Sequence, residues 1–256
     1  MSATETSQPN ESVSQDRLKK MVGEYAVDHF VKSGMKVGLG TGTTAVHAVR
    51  RIAERIEAGR LIDILVVPTS MQTLQLAQEL RLAVRSMNDP DIDAELDLAI
   101  DGADAVDPQL QLIKGGGAAH LTEKIVEYAA RQFVVIVDES KMVEKLGRDV
   151  AIPLEVIPES RRTVTRRAEQ LGAVVLLRPA RNKIGPVITE NGNMILDVRF
   201  PDGLPMSERE LERELNTIPG VVENGLFTRP VTAIVVGMRN GTVELQKPPA
   251  IDGKTK

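Results

Sequence analysis

The chain alternates short apolar runs with helix-patterned segments, and this alternation constrains its fold more than any other feature. Residues 133–137 (FVVIV) are apolar without interruption, and Lys36–Leu39 and residues 61–67 are also of strand type. Helical spacing of apolar residues occupies residues 17–30 and Ala45–Glu57. Strands that are apolar throughout are buried on both faces, and strands that alternate with helices pair in parallel. The pattern predicts a Rossmann-like α/β fold with a parallel sheet, completed by strands at residues 82–86, 96–100 and 232–236 and helices at residues 71–80 and 119–131.

The pattern changes after about residue 145. There the sequence predicts the order β-α-β-β-α-β, which is typical of a smaller, ferredoxin-like α/β fold. Asn191-Gly192 is a hairpin signal, and Ser207 with Glu210 has the spacing of a capping box at a helix start. The predicted elements are strands at residues 151–157, 173–177, 186–189, 194–200 and 221–227, and helices at residues 162–171 and 207–217.

These two patterns divide the chain into three parts. Residues 1–16 are polar and without periodicity, so we expect a disordered acidic tail. A Rossmann-like catalytic domain is expected over residues 17–146 plus 229–256. The smaller ferredoxin-like domain is expected over residues 149–227.

Charge and composition exclude several classes of protein. The 32 basic and 36 acidic residues give a net charge of −4, and such a chain lacks the basic surface that non-specific nucleic-acid binding requires. No apolar run reaches the roughly 18–20 residues that span a bilayer, and no segment has a signal-peptide pattern. The chain has no cysteine, which excludes disulfides and thiolate chemistry. We expect a cytoplasmic protein whose partners include neither nucleic acid nor a membrane.

A glycine-threonine segment, GLGTGTTA at residues 38–45, follows a predicted strand and opens a predicted helix. Its glycines allow a tight turn that exposes N–H groups, and the hydroxyls of Thr41, Thr43 and Thr44 add donors for an anion. The spacing is neither G-x-G-x-x-G nor G-K-[ST], which disfavours a dinucleotide or Walker-type loop. We interpret the segment as a phosphate-binding turn, and the alternative is an ordinary tight turn between strand and helix.

A pair of carboxylates ends another predicted strand. In the segment DLAIDGAD at residues 97–104, Asp101 and Asp104 are separated by the small residues Gly102 and Ala103. Ligands bind at the carboxyl ends of strands in open α/β sheets. Paired carboxylates there serve acid–base chemistry or hold a hard cation such as Mg²⁺. The alternative is that these residues simply favour a chain corner.

Three consecutive glycines, residues 115–117, follow Lys114 and precede a helix that carries Glu123. Such a run has a high entropic cost on folding, which is justified where the backbone must approach a ligand closely. A cation, exposed N–H donors and a carboxylate together can stabilise an oxyanion while a proton moves. The alternative is a flexible hinge flanked by a surface lysine and glutamate.

Taken in order, these segments resemble the ribose-5-phosphate isomerases of the A type. The resemblance covers residues 17–247, and the DGAD motif together with the KGGGA…EK motif makes it specific. His120 departs from the pattern, since the family has a small or apolar residue there. The motifs that carry the resemblance are GLGTGTTA, DLAIDGAD, KGGGAAHLTEK, VVIVDESK, PLEVIP and NTIPGVVENGLF.

The resemblance implies a role for each matching residue. Glu123 corresponds to the family's general base, and Asp101, Asp104 and Lys114 complete the implied catalytic set. The N-terminal helix contributes a lysine, for which Lys19 matches better than Lys20. The implied substrate-binding residues are Lys19, Thr41, Gly42, Thr43, Thr44, Gly102, Ala103, Gly115, Gly116, Gly117 and Lys141.

The implied reaction interconverts D-ribose 5-phosphate and D-ribulose 5-phosphate in the non-oxidative branch of the pentose phosphate pathway. Such an isomerisation moves a proton between C1 and C2 through an ene-diolate, for which Glu123 can be the base. Lys114 and the glycine N–H groups can stabilise the oxyanion, while Asp101 and Asp104 handle hydroxyl protons in an undecided division. No metal or other cofactor is expected, which fits a chain with three histidines and no cysteine.

Three alternatives stay open at this point. They are an amino-sugar phosphate isomerase or deaminase, a non-catalytic sugar-phosphate sensor, and a Mg²⁺-dependent phosphotransferase. The expected partner is a small sugar phosphate in each case but the last, and the resemblance implies a homodimer or homotetramer.

Overall fold

The computed structural model describes residues 14–248, which form a mixed α/β structure with three sheets. The helices of this part are α1 (Gln15–Phe30), α2 (Ala45–Glu57), α3 (Met71–Glu79), α4 (His120–Tyr128), α5 (Arg161–Gln170) and α6 (Glu208–Thr217). The strands are β1 (Lys36–Leu39), β2 (Leu65–Pro68), β3 (Ala83–Val84), β4 (Leu96–Asp101), β5 (Ala105–Val106), β6 (Leu112–Ile113), β7 (Ala130–Asp138), β8 (Ile152–Val156), β9 (Val174–Leu177), β10 (Met194–Arg199), β11 (Val221–Asn224), β12 (Leu226–Phe227), β13 (Ala233–Gly237) and β14 (Val243–Gln246).

The central sheet has the strand order β14-β13-β7-β4-β1-β2-β3. All its neighbours pair in parallel except β13 and β14, which are antiparallel. Counted along the chain, the parallel strands lie in the order 3-2-1-4-5-6 of the Rossmann fold, as predicted. The order reverses between β1 and β4, so the loops that leave these two strands diverge around a crevice. Open α/β sheets bind their ligands at such a switch point.

The strand β7 shows why its run is apolar throughout. Val134 and Ile136 belong to the core beneath α1 and α2, whereas Phe133, Val135 and Val137 belong to the core on the other face of the sheet. Side chains alternate between the faces of a strand, so a strand covered on both faces has no polar position. The predicted parallel sheet with two buried faces is confirmed.

The second sheet is antiparallel, with the order β11-β8-β10-β9. Together with α5 and α6 it follows the predicted β-α-β-β-α-β order of a ferredoxin-like unit. The predicted capping box is present, since the Ser207 side chain accepts from the Glu210 N–H while the Glu210 carboxylate accepts from the Ser207 N–H. The predicted domain boundaries stay a prediction.

Two strand predictions for residues 149–227 are wrong in part. The segment 221–227 is not one strand, because Gly225 lies against the backbone of Lys114 and ends the pairing of β11; the chain then continues as β12 in a three-stranded sheet with β6 and β5. The segment 186–189 makes only isolated bridges, at Pro186 and Ile188. Pro186 has no N–H for a ladder hydrogen bond, and along residues 196–199 the strand β10 pairs with β9.

The predicted tail extends too far along the chain. α1 already begins at Gln15, because the Ser14 hydroxyl accepts the Arg17 N–H and caps the helix. Gln15 and Asp16 are therefore helical, and residues 1–13 lie outside the described residues. Among the described helices none is both long enough and apolar enough to cross a membrane.

Candidate active site

A cavity of about 230 Å³ lies at the switch point of the central sheet. Its wall comes from α1, from the loops that follow β1, β4 and β6, from the first turn of α4, and from the short 3₁₀ turn after β7. The residues that line it are Gln15, Lys19, Thr41, Gly42, Thr43, Thr44, Gly102, Ala103, Asp104, Lys114, Gly115, Gly116, Gly117, Glu123 and Lys141. Every predicted site residue except Asp101 belongs to this wall.

The loop after β1 forms one end of the cavity and leads into the N-terminus of α2. Thr44 occupies the N-cap position but makes no side-chain capping bond, so its hydroxyl is free for a ligand. The Thr43 hydroxyl accepts a hydrogen bond from Lys19 Nζ at 3.0 Å, whereas Lys20 faces Glu24 at 3.8 Å. Hydroxyls, a lysine and the first N–H groups of a helix suit an anion such as phosphate.

Thr41 has a different role from the other two threonines. Its hydroxyl lies 2.7 Å from the hydroxyls of Thr69 and Ser70, and its N–H donates to Asp101 Oδ1 at 3.0 Å. Thr73 extends the hydroxyl cluster by donating to the Gly40 carbonyl at 2.7 Å. Both donors of Thr41 are therefore used to hold the loop, and neither is left for a ligand.

Lys114 lies at the other end of the cavity, among three carboxylates. Its Nζ is 2.9 Å from Asp101 Oδ2, 3.4 Å from Glu123 Oε2 and 3.2 Å from Glu127 Oε1, and it donates to the Gly102 carbonyl at 2.7 Å. All four ionisable side chains are buried. With one ammonium for three acids, the cluster holds more acidic groups than its positive charge can balance.

This imbalance changes the pKa values of the group. Burial raises the pKa of Glu123 to about 8, against the charge of Lys114, and Asp101 and Asp104 add to the rise. Burial likewise raises the pKa of Glu127 well above its usual range, again against Lys114. Burial lowers the pKa of Lys114, but the three carboxylates outweigh it and keep the ammonium charged. The cluster therefore favours the protonated form of Glu127, and Glu123 titrates close to neutral pH.

The two aspartates of the DGAD segment face different ways. Asp101 is buried behind the wall, where Oδ1 accepts from Thr41 N–H and from Gly102 N–H at 2.6 Å. Asp104 lines the cavity, and its Oδ2 accepts from Gly116 N–H at 2.6 Å. Asp104 can therefore reach a ligand in the cavity, whereas Asp101 contacts Lys114 and the loops after β1 and β4.

Within residues 14–248, one group of acidic side chains is spaced closely enough to hold a metal ion. It consists of Asp101, Glu123 and Glu127, and one carboxylate oxygen of each lies within 4.8 Å of the other two. Lys114 Nζ contacts an oxygen of each of them. The chain itself thus supplies the positive charge to these oxygens, and a second cation there would meet the ammonium at close range.

Comparison with known proteins decides the family. The family model described as ribose 5-phosphate isomerase A (phosphoriboisomerase A) matches residues 65–241. Ribose-5-phosphate isomerase A of Treponema denticola is 45% identical over 233 residues, which cover 89% of this chain and 98% of that protein. The chain belongs to the ribose 5-phosphate isomerase A family. The predicted resemblance is confirmed.

Solved structures of the family share the fold. Ribose 5-phosphate isomerase A from Methanocaldococcus jannaschii superposes with a TM-score of 0.84 at 44% identity, covering 91% of this chain and 100% of that one. A D-ribose-5-phosphate isomerase solved in complex with phospho-erythronic acid gives a TM-score of 0.87 at 41% identity, with 92% and 100% covered.

Sequence reasoning misses two residues of this isomerase-family site. Gln15 lines the cavity and donates to Asp138 Oδ2 at 3.3 Å, although the sequence places it in the predicted tail. Glu127 contacts Lys114, and its position one helical turn after Glu123 was a signal that it shares that face of α4. His120 is fully buried beneath Gly115 and is absent from the wall. Burial lowers the pKa of His120 to about 4, so this ring stays neutral at physiological pH.

Proposed function

We propose that this cavity interconverts D-ribose 5-phosphate and D-ribulose 5-phosphate through an ene-diolate, with Glu123 as the base. The observation that carries the proposal is the position of Glu123, a buried carboxyl with a pKa raised to about 8, on the wall of the cavity beside the Lys114 ammonium. A general base works best when its pKa lies near the working pH. The cavity volume of about 230 Å³ suits a ligand smaller than a drug-sized molecule.

The proposed isomerisation moves two protons, one between the carbons C2 and C1 and one between the oxygens O2 and O1. Glu123 takes the proton from C2 of the open-chain aldose, and the electron pair forms the C1–C2 double bond as charge develops on O1. Lys114 and the N–H group of Gly117 face this charge and stabilise it, while the Gly116 N–H holds the Asp104 carboxylate. The O2 hydroxyl proton moves to O1 with the help of Asp104, and Glu123 returns its proton to C1. Asp101 does not touch the substrate but holds Lys114 in place.

The phosphate group occupies the opposite end of the cavity in this proposal. Thr43, Thr44, Lys19 and the N-terminus of α2 face it there, and Lys141 closes the wall. Phospho-erythronic acid, the compound bound in a related structure, joins a phosphate to a planar carboxylate that resembles an ene-diolate. Such a compound fits a site with an anion end and an oxyanion end.

The phosphate end makes one direct prediction. Thr44→Val removes a ground-state contact, so we expect KM for ribose 5-phosphate to rise on the order of 5–10-fold, the effect of losing about 1–1.5 kcal/mol of hydrogen bonding, with little change in kcat. Thr163→Val, at an exposed threonine of α5, is the matched control. An unchanged KM for Thr44→Val would move the phosphate site elsewhere.

The decisive experiment is conversion of ribose 5-phosphate to ribulose 5-phosphate by the purified chain in EDTA. Rapid turnover supports the proposal without a metal. Turnover that EDTA abolishes would favour metal-dependent chemistry at the carboxylates. Saturable binding of ribose 5-phosphate by the folded chain without turnover would favour a sensor.

The remaining expectations on partners and location are part of the same proposal. A phosphorylated sugar does not cross a membrane unaided, so we place the enzyme in the cytoplasm with its substrate.

We also propose that the chain forms a homodimer or homotetramer. Val174 and Leu176 on β9 support it, because each is 61% exposed and neighbouring apolar side chains on an edge strand favour association. Light scattering of the wild type and of Leu176→Lys tests the assembly.

A further inference from the structure

Arg178 follows β9 of the second sheet and contacts the glycine loop of the cavity. Its guanidinium is held on one side by Asp197 of β10, with Nε 2.9 Å from Oδ2 and Nη2 2.5 Å from Oδ1. On the other side Nη1 donates to the carbonyls of Gly115 at 2.8 Å and Gly116 at 3.2 Å. The side chains of Arg178 and Asp197 are only 15% and 19% exposed. A guanidinium group held by hydrogen bonds on both sides has a fixed orientation, unlike one in an exposed surface ion pair.

These contacts determine where the loop N–H groups point. In a trans peptide the carbonyl and the N–H of the same plane point in opposite directions, and the described chain has no cis peptide. The Gly115 carbonyl is turned to Arg178, and the N–H of the same plane, on Gly116, donates to Asp104. The Gly116 carbonyl is also turned to Arg178, so the N–H of Gly117 points away from Arg178. Gly117 itself lines the cavity.

The loop needs such a contact because its own residues do not fix it. Three consecutive glycines have more backbone freedom than any other tripeptide, and Gly115 adopts a φ of 103°. Gly116 N–H is also the one donor assigned to the Asp104 carboxylate within residues 14–248. A change in the direction of these two peptide planes would therefore move an oxyanion donor and a carboxylate together.

We infer that Arg178, oriented by Asp197, is a positioning residue for the isomerase, because it aims the Gly117 N–H and the Asp104 carboxylate at the reacting end of the substrate. This inference rests on the proposed function. It assigns to the second sheet a part in catalysis, although none of its residues lines the cavity. Preorganised donors stabilise a developing oxyanion only where their direction is fixed before the reaction.

The test uses the full chain with Arg178→Lys, which keeps the positive charge but loses the fork. We expect kcat to fall about 10–100-fold, the effect of a small misplacement of catalytic groups, with KM changed less than about threefold. The dissociation constant of phospho-erythronic acid should rise in parallel with the loss of kcat, whereas that of inorganic phosphate should stay unchanged. Arg199→Lys, at an exposed arginine at the end of β10, is the matched control and should leave all four quantities unchanged. If kcat and the phospho-erythronic acid affinity of Arg178→Lys stay within twofold of wild type, the inference is wrong.

Amide hydrogen exchange separates this inference from the proposed function. Arg178→Lys should increase exchange in the peptide that spans residues 113–121 relative to wild type and to Arg199→Lys. Should the wild type fail to turn over ribose 5-phosphate, the proposed function fails, and unchanged exchange in Arg178→Lys would then also overturn the positioning role. Increased exchange confined to Arg178→Lys would uphold that role for the loop.

Discussion

Helix α4 carries two neighbouring residues, Glu123 and Lys124, that belong to two different buried clusters of lysine and carboxylates. In the first cluster, Lys114 faces three acids, and four of their oxygens have no hydrogen-bond partner of good geometry within the described residues. In the second, Lys124 Nζ donates to Glu212, Glu223 and the Asn224 carbonyl, each at 2.9 Å. The same residue types thus have hydrogen-bond partners for their buried oxygens in the second cluster, which we call balanced, and lack some of them in the first, which we call unbalanced.

The pKa values follow this difference. Burial raises the pKa of Glu223, but Lys124 and Asn216 outweigh burial, so the pKa lies below the usual 4.5. The pKa of Glu123 instead rises to about 8. A polar network with all its partners stabilises the fold, whereas one with missing partners stores a group that can take or release a proton. The second cluster joins α4 to α6 and β11, and the first one serves the cavity.

The largest expected effect is a difference in kcat between two variants of the first cluster. Glu123→Gln should lower kcat by a factor on the order of 10²–10⁴, because an acid–base group is lost. Glu127→Gln, one turn later on the same helix and beside the same lysine, should keep kcat within about threefold, because Gln resembles the protonated acid that we infer there. Steady-state kinetics with ribose 5-phosphate checks both. An active Glu123→Gln enzyme would remove the base from our mechanism.

The next expected effect is a difference in the free energy of unfolding between variants of the two clusters. Glu223→Gln removes an ionised partner of Lys124, so we expect the free energy of unfolding at pH 7 to fall by about 1.5 kcal/mol, as for a hydrogen bond to a charged group. Glu127→Gln should leave it unchanged or raise it, because the folded state no longer has to keep a carboxyl protonated. Urea unfolding of both variants measures the difference. Equal losses in the two variants would mean that the first cluster is as well satisfied as the second.

How much of this was predictable depends on the range of the interactions involved. Lys114, the glycine run and Glu123 lie within one short segment, and their chemistry could be read from that segment alone. The partners of Lys124 could not be predicted in this way. Glu212 and Glu223 come from elements that reach α4 only in the folded chain. The split of segment 221–227 has the same origin, since Gly225 must pass the backbone of Lys114. Local patterns predicted most of the elements and the residues that line the cavity, and long-range packing decided the register and the hydrogen-bond partners.

A smaller effect concerns the pH dependence of the reaction. Glu123 must be ionised to accept a proton, so kcat/KM should rise up to tenfold per pH unit below its pKa and level off above about 8. Glu223 stays ionised throughout this range, so Glu223→Gln should leave the midpoint unchanged. Initial rates from pH 6 to pH 9.5 give the profile. A profile that stays flat over this range would show that the free enzyme holds Glu123 as an ordinary carboxylate.

The smallest expected effect is a difference in melting temperature that changes with pH. The folded pKa of Glu123, about 8, lies above its value of 4.5 in an unfolded chain, so the folded state binds the proton more tightly. The stability that this proton contributes is complete below pH 4.5 and is lost as the pH rises to about 8. Gln cannot lose a proton, so the melting temperature of Glu123→Gln relative to wild type should increase from pH 5 to pH 8.5.

For Glu223 the pKa shift has the opposite sign. Its folded pKa is lowered, so the ionised carboxylate gives stability that is present above pH 4.5 and lost below it. Glu223→Gln lacks this stability. Its deficit should therefore be constant between pH 5 and pH 8.5 and shrink only in acid. Parallel pH trends for the two variants in calorimetry would show that one electrostatic environment extends along α4, instead of a balanced cluster beside an unbalanced one.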